Sequence, residues 1–126
     1  MEDRKLKILI VDDEDGLRLS MAGIIEMDGH EVLDASNGYD AIELAKKHVF
    51  DAAFLDIKMP GINGVETFKQ IKKISPATTV VMMTAYAVQH LIKEALDEGA
   101  YACISKPFDM EKIMETIKDI SKKSLS

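Results

Sequence analysis

At 126 residues and 47% hydrophobic, with a single cysteine, the chain is the size of one compact domain and has neither a disulfide framework nor a structural zinc site to hold it. A formal net charge of −6 excludes the clustered basic surface that binds nucleic acid or anionic membrane. No run approaches the roughly 20 apolar residues of a membrane span, and Met1-Glu2-Asp3-Arg4-Lys5 lacks the apolar core of a signal peptide. The expectation is a cytoplasmic protein that binds no membrane and no nucleic acid and whose partners are other proteins.

In chain order, the first element is Ile8-Leu9-Ile10-Val11, an unbroken apolar run of strand length, the pattern of a strand buried on both faces. Leu17, Met21, Ile24 and Ile25 follow at helical spacing, with Gly29 placed as a left-handed C-cap. Glu31-Val32-Leu33-Asp34-Ala35 mixes polar and apolar residues and suits a half-covered edge strand. Ala41, Ile42, Ala45 and Val49 mark a second helix, and Ala52-Ala53-Phe54-Leu55 a third, buried strand. Val65, Phe68 and Ile71 predict a third helix stopped before Pro76, and Val80-Val81-Met82-Met83 a fourth strand. Val88, Leu91, Ile92 and Ala95, closed by Gly99, form a fourth helical pattern; Tyr101-Ala102-Cys103-Ile104 a fifth buried strand; and Met110, Ile113, Met114 and Ile117 a fifth helix. Ser121 to Ser126 reads as a fraying polar tail. Strict alternation of strand and helix implies right-handed crossovers, and hence an α/β, doubly wound, parallel five-stranded sheet covered by helices on both faces. With no linker, repeat or low-complexity stretch, residues 1–126 are expected to form a single domain.

Ligands of open α/β sheets bind beyond the carboxyl ends of the strands. Here those ends carry Asp12-Asp13-Glu14, Asp56, Thr84 and Lys106-Pro107. Each has an ordinary explanation alone: Asp13 as a helix cap, Asp56 as a turn former, Thr84 as a turn hydroxyl, Lys106 as a solvated loop charge. Together they do not, because two carboxylates about 4 Å apart repel by roughly 4 kcal/mol at an effective dielectric near 20. Three converging carboxylates need a cation beyond one lysine, and an all-oxygen acidic pocket suits a hard divalent ion with phosphoryl oxygens completing its shell.

The Asp12-Asp13 pair, Leu55-Asp56-Ile57-Lys58-Met59-Pro60-Gly61, Met83-Thr84-Ala85 and Ser105-Lys106-Pro107-Phe108 together resemble the receiver domains of two-component response regulators, over residues 6 to about 120. The resemblance implies the flavodoxin-like strand order 2-1-3-4-5 and a phosphoryl group taken onto Asp56. It implies Mg²⁺ (or Mn²⁺) held by Asp13, Asp56 and the backbone carbonyl of Lys58, with Asp12 holding metal-bound water. Thr84 and Lys106 would bond the phosphoryl oxygens. The implied partners are a sensor histidine kinase or histidine phosphotransfer protein and a downstream protein target that the sequence does not name.

Three positions depart from the pattern or tune it. Many receivers carry Tyr or Phe where this chain has Cys103, read here as a small buried hydrophobe; Tyr101 lies two residues earlier. Lys58 and Tyr86 occupy positions that in the family tune self-dephosphorylation, and neither offers a carboxylate or carboxamide to position water, so slow self-dephosphorylation is expected. Met82, Met83, Met110 and Met114 read as packing, and His30, His48 and His90 as surface or partly buried side chains. A haloacid-dehalogenase-type phosphatase would need a second Asp two past the nucleophile, where Lys58 stands. A flavodoxin-like carrier would place FMN phosphate against the repelling Asp12-Asp13-Glu14.

Overall fold

The computed structural model describes residues 4–85 and 88–123. Five strands alternate with five helices: β1 Lys7–Val11, α1 Asp15–Met27, β2 Glu31–Ala35, α2 Gly38–Lys47, β3 Ala52–Asp56, α3 Gly64–Ile74, β4 Thr79–Thr84, α4 Gln89–Asp97, β5 Ala102–Ser105 and α5 Met110–Lys123. All pairings are parallel and the order is β2-β1-β3-β4-β5. This is the doubly wound sheet the alternation predicts, and the reversal of strand order lies between β1 and β3.

Side chains alternate across each strand and sort into two cores. Leu9, Val11, Ala53, Leu55, Val80 and Met82 face α2, α3 and α4, where Ala41, Ala45, Val65, Phe68, Ile71 and Ala95 cover them. Ile8, Ile10, Ala52, Phe54, Val81 and Met83 face α1 and α5, closed by Met21, Ile25, Ile113, Ile117 and Ile120. The unbroken apolar runs of β1, β3 and β4 therefore reflect burial on both faces.

Local chemistry sets the helix ends. Asn37 Oδ1 accepts from the Asp40 N–H at 2.8 Å and Asn63 Oδ1 from the Glu66 N–H at 3.0 Å, capping α2 and α3. Gly29 and Gly99 adopt φ of 95° and 106°, as their placement past α1 and α4 predicts.

Several expectations fail for identifiable reasons. The run at Tyr101–Ile104 is an edge strand beginning at Ala102, with Ala102 and Cys103 half-buried and Ser105 exposed, because among the described residues no strand pairs beyond β5. Val32 and Leu33 of β2 pack into opposite cores, so that edge is partly covered on both sides. Val49 lies past the end of α2 and is 79% exposed, and Ile24 points largely outward. Ser121 is no part of a fraying tail: α5 continues through it, and its buried hydroxyl donates to the Arg4 carbonyl at 2.8 Å. His30 is buried, its Nδ1 accepting from the Leu6 N–H at 2.9 Å.

Candidate functional site

β1 ends at Val11, and the chain turns at once into α1. Asp12 is fully buried there, its N–H donating to the Ala35 carbonyl at 3.2 Å. One oxygen of its carboxylate accepts from the Glu14 N–H at 2.9 Å and the other from the Lys106 ammonium at 2.5 Å. Asp13 is exposed, and the N-cap of α1 is Glu14, so Asp13 is not the cap of that helix.

Asp56 closes β3 and is 6% exposed. Its Oδ1 accepts from the Lys58 N–H at 3.3 Å and its Oδ2 from Lys106 at 3.2 Å. Carboxylate oxygens of Asp12, Asp13 and Asp56 all lie within 4.8 Å of one another. At that separation each ionised pair repels by roughly 3.5 kcal/mol at a dielectric near 20. Burial is the main force holding the Asp56 carboxyl above its ordinary value; the Lys106 charge opposes that and the Asp12 charge adds to it. Burial alone would lower the Lys106 ammonium, but its bond to Asp12 and the charges of Asp56 and Asp12 outweigh it and hold the group above the usual lysine value.

Lys106 reaches the cluster from the turn after β5, its N–H donating to the Thr84 carbonyl at 2.8 Å; the Lys106–Pro107 peptide is cis. Thr84 is the buried last residue of β4, paired in register with Ser105, while Asp56 pairs with Met83. Asp12, Asp13 and Asp56 line an open cavity of about 520 Å³ together with Glu14, Lys58, Met59, Pro60 and Ala85. Asp12, Asp13, Asp56 and Lys106 thus meet directly, Lys58 contributes backbone beside them, and register puts Thr84 on the same rim. Tyr86 lies outside the described residues. The donor chemistry suits a divalent cation: hard oxygens, more negative than Lys106 neutralises, with Asp13 open to solvent.

Two residues escaped the sequence reading. Gly64 opens α3 against the end of β3, its N–H donating to the Ile57 carbonyl at 2.7 Å, and a Cβ there would lie 2.1 Å from the Asp56 carbonyl oxygen. The Asn63-Gly64 pair, a cap followed by a residue without a side chain, is its signal. Arg18 donates to the Asp12 carbonyl, and its only signal is a lone cation just after the acidic run Asp12–Asp15. Cys103 is half-buried rather than buried, and burial pushes its thiol up.

Known proteins share this sequence pattern and fold. Residues 8–118 match the family model of the response regulator receiver domain. The chain is 37% identical over 112 residues to sporulation initiation phosphotransferase F of Bacillus subtilis, covering 89% of this chain and 90% of that protein. A CheY-like receiver domain protein from Methanospirillum hungatei superposes with a TM-score of 0.91 at 31% identity, over 95% of this chain and 96% of the other. Response regulator TrrA of Thermotoga maritima, solved in complex with Mg²⁺ and BeF, superposes with a TM-score of 0.81 at 30% identity, over 93% and 99% of the two chains. The fold therefore has its counterpart along nearly the whole chain, which belongs to the response regulator receiver domain family, the phosphoacceptor domains of two-component and phosphorelay signalling.

Proposed function

We propose that Asp56 takes the phosphoryl group, from a sensor histidine kinase or a histidine phosphotransfer protein, in a Mg²⁺-dependent reaction that Mn²⁺ also supports. The supporting observation is the meeting of the Asp12, Asp13 and Asp56 carboxylates within 4.8 Å, with the Lys106 ammonium bonded to both Asp12 and Asp56. A carboxylate oxygen of Asp56 attacks phosphorus while the phosphorus–nitrogen bond of the donor imidazole breaks, and that electron pair leaves with the imidazole. A divalent ion held by Asp13, Asp56 and the Lys58 carbonyl, with Asp12 on its water, would supply positive charge against the phosphoryl oxygens.

The chain's own groups do the rest. The Lys106 ammonium, already on Asp56, pairs with a phosphoryl oxygen as charge moves there. The Thr84 hydroxyl bonds another, drawing the segment after β4 inward and changing the surface offered to a protein target. With Cys103 in place of an aromatic side chain, the switch rests on Thr84 and its loop. Lys58, which lines the cavity, and Tyr86, two past Thr84 in sequence, would together cover the approach of water, so the acyl phosphate is long-lived and suited to onward transfer. Residues 1–126 form one receiver domain, acting in the cytoplasm. Incubation with acetyl phosphate should add one phosphoryl group in Mg²⁺ or Mn²⁺ and none in EDTA; persistence of the label at wild-type rate in Asp56→Asn would sink the assignment.

A further inference from the structure

Arg18 projects from α1 beside the site, and its side chain is only 11% exposed, which is unusual for an arginine without fixed partners. Its Nε donates to Asp34 Oδ2 at 2.6 Å, and its Nη1 donates to the Asp12 carbonyl at 2.8 Å and faces Asp15 Oδ1 at 2.9 Å. The Asp12 carbonyl belongs to the peptide unit that joins Asp12 to Asp13. Asp12 is already held at its N–H by Ala35 and at its carboxylate by Glu14 and Lys106, so Arg18 fixes the one remaining side of the turn that presents Asp13. Asp34, at the end of β2, holds the guanidinium from the opposite side.

We propose that Arg18 is a positioning residue: anchored on Asp34, it locks the Asp12–Asp13 peptide so that the Asp13 carboxylate meets that of Asp56 in the geometry a divalent cation requires. The inference rests on the reading of this cluster as the metal-assisted phosphoryl-acceptor site. Its sign distinguishes it from simple electrostatics. A cation beside an acidic cluster repels a second cation, so charge alone would make removal of Arg18 tighten metal binding. Groups that orient metal ligands do the opposite, and their loss weakens affinity by about 10- to 100-fold.

The test is calorimetric titration of the purified, metal-stripped chain with Mg²⁺. Arg18→Met keeps the stem and loses the guanidinium. Arg18→Lys keeps the charge, but a single ammonium cannot span Asp34, Asp15 and the Asp12 carbonyl together. Positioning predicts weaker Mg²⁺ binding in both, by about tenfold. Charge alone predicts tighter binding in Arg18→Met and none of the loss in Arg18→Lys; a merely structural role lowers the melting temperature and leaves affinity unchanged. Unchanged or tightened affinity in Arg18→Lys overturns the proposal, even if Arg18→Met fails to fold. Asp13→Ala should abolish binding; if it binds Mg²⁺ like the wild type, the reading of the site fails instead, and Arg18 with it.

Discussion

Asp56 is held where burial resists its charge, and that has a thermodynamic consequence before any phosphoryl group arrives. Its carboxyl lies above the ordinary aspartate value in the fold, so folding favours the neutral form. This contribution is complete below the ordinary value and is lost as pH rises through the higher native one. Asp56→Asn is neutral throughout, and should raise the melting temperature of the metal-free protein at pH 7. Thermal unfolding in EDTA checks this; an equal or lower melting temperature would mean that Lys106 already offsets the burial. Lys58 carries a second expectation. Lys58→Asn places a carboxamide where it can position water, and the acyl phosphate of that variant should decay several-fold faster than wild type; equal lifetimes would remove Lys58 from control of hydrolysis. Asp12, Asp13, Asp56 and Lys106 could be picked out in the sequence because three carboxylates at two neighbouring strand ends are too costly to gather without a reason. His30 and Arg18 were not, since a histidine capturing the Leu6 N–H and an arginine capturing the Asp12 carbonyl depend on where distant backbone lands.

Among the elements, α3 presses its first turn against the end of β3. Gly64 lets its first turn sit on the Asp56 carbonyl, and Gly64→Ala would drive a Cβ into backbone at 2.1 Å, where no side chain can yield. Such overpacking costs about 1–3 kcal/mol. Gly23, inside α1, has nothing within 4 Å of a built Cβ, and Gly23→Ala should stabilise by about 0.5–1 kcal/mol through helix propensity. Urea denaturation of the two variants should move the midpoint in opposite directions, and a shared direction would show that α3 can slide away from β3. Strands and helices were legible where the apolar period matches the buried face, as along most of β1, all of β3 and one face of α3. They were misread at margins: β5 has the composition of a central strand but is paired on one side only, by β4, and Val49 continues a helical spacing that the backbone has already left. The end of α5 was misjudged because the polar Ser121 finds a buried acceptor on Arg4, a contact between opposite ends of the chain.

For the whole molecule, strand order converts sequence into chemistry. Because β1 and β3 are neighbours at the reversal of direction, Asp12-Asp13 and Asp56 share one rim, and the turn after β5 reaches across to supply Lys106. The Asp12-Asp13 pair, Asp56 and Lys106 are far apart in sequence, yet alternation of strands and helices was enough to forecast the layers, while the order 2-1-3-4-5 came from the resemblance carried by the four motifs. The central claim, that this rim exists to place a phosphoryl group on Asp56, is tested most directly by locating the modified residue. After reaction with a phospho-histidine donor in Mg²⁺, borohydride reduction converts a phosphorylated aspartate to homoserine, which peptide mass spectrometry can place. The account predicts homoserine at position 56 and nowhere else; homoserine at 12 or 13, or a phosphoryl group resistant to borohydride, would contradict it.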